Sequence, residues 1–223
     1  MRNGLGQLTC TGGNWAQEAY IKASNNDADD RFGFSVSLDG DSLAVGAYYE
    51  DSNQTTITNG SSASANNGSA KSGEVYVYKR TGAIWAQEAY IKASNNDTHD
   101  EFGFKVSLNG DTLAVGARYE DSNQTTITNG ATASADNSNI DSGAVYMYKR
   151  TGAIWAQEAY VKASNNDAGD LFGYRVSLSG DTLAVGAYQE DSNQTTITNG
   201  SSASADNSNS ASGAVYVYKR VWK

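Results

Sequence analysis

An all-β fold is predicted, an arc of three four-stranded antiparallel units, and three observations carry it. The first is a period of 70 residues: Trp15, Trp85 and Trp155 recur at that interval, as do Phe32, Phe102 and Phe172, and Gly46, Gly116 and Gly186. The second is alternation within each copy, where Phe34, Val36 and Leu38 interleave with Ser35 and Ser37 in the two-residue period of a strand. The third is that no window sustains apolar residues at i, i+3, i+4 and i+7, so almost no helix is expected.

The copies span residues 11–80, 81–150 and 151–220, between a head segment of residues 1–10 and a tail of residues 221–223. Copies two and three match at 56 of 70 positions without a gap. One such unit can hardly bury a core alone, so its neighbours must supply one, and the whole is a single continuous module.

Each copy reads as four strands. In the first copy they are residues 15–23, 32–38, 42–47 and 73–78, the last rich in β-branched and aromatic residues. Asp39-Gly40, Asn109-Gly110 and Ser179-Gly180 separate the second and third strands and read as tight hairpin turns, because these residue types tolerate positive φ. Lys79 to Ile84 leads from the fourth strand to the next Trp strand. A long Ser-, Thr- and Asn-rich connection, about residues 48–72, joins the third and fourth strands, and loops of this length are usually functional or disordered.

Composition excludes several classes of function. The chain has 223 residues, a formal charge of −9, one His, one Cys and no Pro. An acidic balance without clustered Lys and Arg argues against nucleic acid and anionic lipid as partners. No run of 18 or more apolar residues exists, so no membrane insertion is expected. The first ten residues lack an apolar stretch and do not read as a signal peptide. The single Cys10 forbids an internal disulfide and reads as a free thiol.

Four-stranded units repeated along a chain suggest the blades of a β-propeller. The motifs sharpen this. Phe32-Gly33, then Val45-Gly46-Ala47, then the run from Gly73 to Tyr78 resemble an FG-GAP repeat, and the match recurs at Phe102-Gly103 with Gly116-Ala117 and at Phe172-Gly173 with Gly186-Ala187. The resemblance covers about 210 of the residues. It implies the propeller of bacterial surface proteins, similar to that of integrin α subunits, and hence an extracellular or cell-surface setting with a role in adhesion. Two departures stand out. Tyr48, Arg118 and Tyr188 replace the family's Pro after Gly-Ala. The acidic calcium loop of integrin-type repeats is also missing, because only a short turn such as Leu38 to Asp41 occupies its place.

Propellers typically have four to eight blades, so three leave an open arc. If the Phe-Gly strand is innermost, each Trp strand is the outermost strand of the preceding blade. The chain then begins with a spare outer strand, carrying Trp15, Tyr20 and Ile21, and ends with a blade lacking one. The expected partner is therefore a second copy of the chain, joined head to tail in a ring or a filament by strand exchange; the alternative is that the chain is a fragment of a longer propeller protein.

Candidate chemistry lies on the long-loop face. Asp27, Asp30, Glu50 and Asp51 fall there with Asn25 and Asn26. Their counterparts are Asp97, Asp100, Glu120 and Asp121, then Asp167, Asp170, Glu190 and Asp191. Such oxygens suit calcium, the one cofactor the sequence suggests, and equally suit Asx-turns that bond their own backbone. Asn-x-Ser/Thr sequons occur at Asn53, Asn59, Asn67, Asn96, Asn123, Asn193 and Asn199, as glycan acceptors or as chance products of composition. Tyr48, Tyr49, Tyr119 and Tyr188 either stack on a glycan or cap blade interfaces, so the runner-up function is a carbohydrate- or protein-binding module using this face. Lys22, Lys79 and Arg80 read as solvated strand-end charges. The only His, His99, aligns with Asp29 and Gly169, and no catalytic arrangement can be built around it, so the chain is not expected to be an enzyme.

Overall fold

The computed structural model describes residues 13–221; the head segment with Cys10, and the end of the tail with Trp222, lie outside them. The described residues form strands and turns without a helix. In chain order the first strands are β1 (Ser35–Asp39), β2 (Ser42–Ala47), β3 (Thr58–Asn59), β4 (Glu74–Thr81) and β5 (Ile84–Ile91). The next are β6 (Phe102–Asn109), β7 (Thr112–Ala117), β8 (Thr128–Asn129), β9 (Ala144–Thr151) and β10 (Ile154–Val161). The last are β11 (Phe172–Ser179), β12 (Thr182–Ala187) and β13 (Ala214–Lys219).

Three antiparallel sheets result, with strand orders β1-β2-β4-β5-β3, β6-β7-β9-β10-β8 and β11-β12-β13. The structure is an incomplete β-propeller. The Phe-Gly strand is one edge of each blade, and in the first two blades the Trp strand of the following copy pairs outside the fourth strand, as expected. Thr81 and Ile84 pair across a two-residue turn to start the outer strand of the first blade. The Asx-Gly hairpins form as expected, with Gly40, Gly110 and Gly180 all near φ +55°.

Two features differ from expectation. The long connections are ordered, and each of the first two lends a two-residue strand, Thr58–Asn59 or Thr128–Asn129, to the outer strand. The polar tract hid these bridges because they have no hydrophobic period. Residues 15–23 also form no strand. Their counterparts in β5 and β10 pair with β4 and β9, whereas no inner strands stand beside residues 15–23 to complete a ladder.

Blades pack face to face. Val75 and Val77 of the first blade share a core with Phe102, Val106 and Leu108 of the second, and Val145 and Met147 share one with Phe172 and Val176 of the third. Serine hydroxyls set the register between inner strands. Ser35 accepts from the Val106 amide, Ser37 from Leu108 and Ser107 from Leu178, each at 2.9 Å.

The backbones approach so closely at one point that only glycine fits. A Cβ on Gly46 would stand 2.0 Å from the Gly103 carbonyl oxygen, and one on Gly116 would stand 2.1 Å from that of Gly173. Gly186, at the same place in the last blade, has no following blade, and its nearest neighbour would be the Arg175 Cβ at 3.5 Å. Gly116→Ala is therefore expected to destabilise the chain by about 1–3 kcal/mol. Gly186→Ala is expected to stay within about 0.5 kcal/mol of the parent. Urea denaturation of the two variants checks the contrast.

Candidate functional site

The blades meet at two junctions, and the same side chains recur at both ends of the described residues. At the heart of the first blade lies Glu50, buried to 1% exposure. Its carboxylate accepts from the Ser52 amide at 2.9 Å, Asn25 Nδ2 at 3.2 Å, Tyr90 Oη at 3.4 Å and Lys92 Nζ at 3.2 Å. In the second blade Glu120 accepts from Ser122, Asn95, Tyr160 and Lys162 at 3.1, 3.0, 2.7 and 2.9 Å. Tyr and Lys are supplied by the outer strand and the residue just after it. Burial pushes the Lys92 and Lys162 ammonium groups below their ordinary value, and the facing carboxylate offsets only part of that. The sequence reading of this lysine as a solvated strand-end charge is thus corrected at Lys92 and Lys162, where the ammonium enters a dry junction to meet its glutamate. The signal that could have found it is the 42-residue offset from Glu to Lys, repeated in both copies.

The third blade has the same centre with half of it missing. Glu190 accepts from Asn165 at 3.0 Å and Ser192 at 3.2 Å and has neither the tyrosine nor the lysine, because among the described residues no outer strand pairs with β13. The residues at those two places in the repeat are Tyr20 and Lys22, both exposed at the other end of the chain. Val215 and Val217 are 71% and 69% exposed, whereas Val75 and Val77 are fully buried. At the first blade Val36 and Leu38, whose counterparts Val106 and Leu108 are buried, are exposed as well.

Residues 18–25 already lie where an outer strand belongs. Glu18 accepts from Arg80 at 3.0 Å and from the Trp85 indole at 3.3 Å, as Glu88 does from Arg150 and Trp155. Tyr78 Oη donates to the Lys22 carbonyl at 3.2 Å, as Tyr148 does to that of Lys92 at 3.1 Å. Tyr76 Oη donates to Asn25 Oδ1. The segment is docked on the first blade through its side chains, while Trp15 and Tyr20 stand in solvent.

The acidic residues of the loop face are drawn together in part, and each serves the chain itself. Asp30 Oδ2 accepts from the Asp27 amide at 2.9 Å, as Asp100 does from Asp97 and Asp170 from Asp167. Asp27, Asp97 and Asp167 accept from Asn67, Asn137 and Asn207. Asp51, Asp121 and Asp191 accept from the amides of Lys71, Asp141 and Ala211. Burial is the main reason that the Asp100 carboxyl is pushed up to about 9 and that of Asp170 to about 7. Among the described residues no group of three or more His, Cys, Asp or Glu is spaced to hold a metal ion.

The tyrosine tips are also engaged. Tyr48 and Tyr188 lean on Phe34 and Tyr174 at 4.4 and 4.3 Å between ring centres, within an inner row that runs through Phe34, Phe104 and Tyr174 at 5.2 Å steps. Arg118 lies between Phe104 and Tyr119 and pairs with Glu101 at 2.7 Å, beside a cavity of about 400 Å³ that Tyr49 and His99 also line. The sequon residues Asn53, Asn59, Asn67, Asn123, Asn193 and Asn199 are exposed. Asn96 is half-buried and donates to the Ser52 carbonyl at 3.1 Å.

One departure from the repeat places a carboxylate in the interior. Glu74 stands where the other copies have Ala144 and Ala214, and both of its carboxylate oxygens are buried without a hydrogen-bond partner. Burial, and after it the charge of Glu50, hold its carboxyl well above the ordinary value of 4.5. The folded chain retains this proton where the unfolded chain loses it, so stability is full below about pH 4.5 and falls as pH rises above it. Glu74→Ala is therefore expected to raise the melting temperature, with a gain that grows from pH 4.5 towards neutrality. Thermal melts of both chains across that range check it.

A family profile described as FG-GAP repeat matches residues 15–78, 85–132 and 155–218. No curated protein matches the chain. No helix among the described residues is long and apolar enough to cross a membrane.

Proposed function

The chain belongs to the FG-GAP repeat family, and we propose that it is a structural, adhesive module that polymerises or closes head to tail by completing its last blade with the first strand of another copy. One observation carries this reading: the third blade has three strands where its predecessors have an outer strand as well, and residues 15–23 are that strand without a blade.

The register follows from the first blade. There Val75 pairs with Ile91, Tyr76 with Tyr90 and Val77 with Ala89. In the assembly the exposed edge of β13 pairs in the same way, so that Val215 faces Ile21, Tyr216 faces Tyr20 and Val217 faces Ala19 of the second copy. Lys22 then meets Glu190, and Tyr20 supplies the missing phenol. The exposed Val215 and Val217 are covered by the second copy's first blade, which presents Val36 and Leu38. Burying Trp15, Tyr20 and Ile21 contributes about 5–9 kcal/mol before ordering costs. Two copies supply six blades, within the range over which propellers close. If the rotation per chain does not close, the same contact propagates a filament.

An extracellular or cell-surface setting belongs to the same proposal and is supported by the Ser-, Thr- and Asn-rich composition of the three long connections. On this reading the loop acids serve architecture, as their bonds to loop amides suggest. Millimolar calcium should therefore leave the melting temperature unchanged, and a rise of several degrees in a thermal melt would assign those acids to a cation.

The decisive measurement is native mass with negative-stain imaging. Multiples of the chain mass, as rings or fibres without added ligand, are expected; a folded monomer at all concentrations would overturn the proposal. Gly186→Ala separates folding from assembly. Its Cβ is harmless in the single chain but meets the arriving Gly33 carbonyl, as a Cβ on Gly46 would meet Gly103. The variant should melt like the parent monomer and fail to assemble.

A further inference from the structure

We infer that a cavity of about 560 Å³ beside the third blade is a socket for a tryptophan side chain, and that Trp15 of a second copy is its occupant. The identity of the occupant rests on the assembly proposed above; the existence of the socket does not.

The chain contains the same socket in its filled form. Trp155 opens the outer strand of the second blade and is 1% exposed, whereas Trp15 is fully exposed. Its backbone is held on both sides by one side chain of the preceding blade. The Trp155 amide donates to Asn59 Oδ1 at 2.8 Å, and Asn59 Nδ2 donates to the Trp155 carbonyl at 3.3 Å. The indole N–H donates to Glu88 at 2.9 Å, and Arg150 lies 5.3 Å from the ring centre. Val77 and Leu113 belong to the same buried cluster, and Ile57 packs against it.

Seventy residues further on, the cavity is lined by the counterparts of all six. Asn129 stands for Asn59, Glu158 for Glu88 and Arg220 for Arg150, while Ile127, Met147 and Leu183 replace Ile57, Val77 and Leu113. Arg220 pairs with Glu158, so the carboxylate that receives an indole is already in place. The repeat places the entering tryptophan 70 residues after Trp155 in register, and Trp15, fully exposed, holds that place in a second copy. Residue 15 is the first position of that register that a second copy can offer. An apolar cavity with one indole acceptor and one amide reading the backbone selects a tryptophan at the head of an extended strand. It thereby fixes the register of the strand exchange, since a one-residue slip would take the strand's backbone away from Asn129 and the indole away from Glu158.

A labelled peptide of residues 13–25, added to the full-length Trp15→Ala chain, tests the socket apart from the assembly. Fluorescence anisotropy should show binding, and replacing the peptide's Trp by Ala should weaken it by about 30-fold or more. Glu158→Ala in the chain, which removes the indole acceptor, should weaken the Trp peptide and leave the Ala peptide unchanged, whereas Asn129→Ala, which removes a backbone contact, should weaken both. Equal binding of the two peptides would overturn the socket. So would binding that appears only after Trp222→Ala, which would give the cavity to the chain's own tail. Trp-dependent peptide binding by a parent chain that stays monomeric would sink the assembly and keep the socket. Undiminished assembly of Trp15→Ala would do the reverse.

Discussion

The structure depends on one offset: each blade takes its outer strand from the next repeat. A β-ladder satisfies backbone amides and carbonyls only in pairs, so a blade made wholly of its own repeat would need nothing further. Here β4 is paired by β5 and β9 by β10, across the repeat boundary. Every junction is therefore held by chain continuity as well as by side-chain packing. The same offset leaves β13 with an open edge and residues 15–23 with no ladder. The two defects are complementary because one cause produces both. Open edges favour association, and here the edge is matched to a strand of defined sequence.

Within a closed junction the buried Glu–Lys pair does not by itself argue for stability. Taking two charges out of water is expensive, and their attraction repays it only with good geometry and further hydrogen bonds. Glu50 and Glu120 have those bonds, from an amide, an asparagine and a tyrosine as well as the lysine. The pair contributes specificity instead. A strand displaced by two residues keeps its apolar face but moves its lysine out of reach of the carboxylate. Glu190 shows the contrast, a buried carboxylate held by an asparagine and an amide but without the tyrosine and lysine of the other two centres. The glycine contacts act in the same direction, since Gly46 and Gly116 admit a neighbouring backbone that no side chain would allow.

Much of this was legible in the sequence. The 70-residue period gave the number of units, and the order of Phe-Gly and Trp strands gave the offset and both open ends. Loop chemistry was harder to read. Glu50 and Lys92 are 42 residues apart, and neither carries a sign of burial, because a charged residue that recurs in each repeat reads equally well as a solvated face or a ligand set. Thr58 and Asn59 sit in a polar tract without a period, yet Asn59 holds the backbone of Trp155 in the next blade. Such roles arise from proximity between repeats, which a pattern within one repeat does not encode. Glu74 is the converse: the sequence marks it as the odd member of a set, and only the fold shows that it is buried without a partner.

In the proposed assembly, near-identity of the repeats would let the contact between chains reuse the contact within one. A surface that binds its own successor within a chain also binds that successor when it begins another chain, provided nothing at the ends blocks it. The ends do differ from the interior, in the exposure of Trp15, Lys22, Val215 and Val217, but their side chains keep the identities that the interior junctions bury. An isolated three-blade protein would be expected to replace such residues with polar ones, as terminal repeats of solenoids do when they cap an array. This chain keeps Trp at the head of its first strand and Val at both inward positions of its last. Those are the choices of an interior repeat, and an interior repeat has a neighbour on each side.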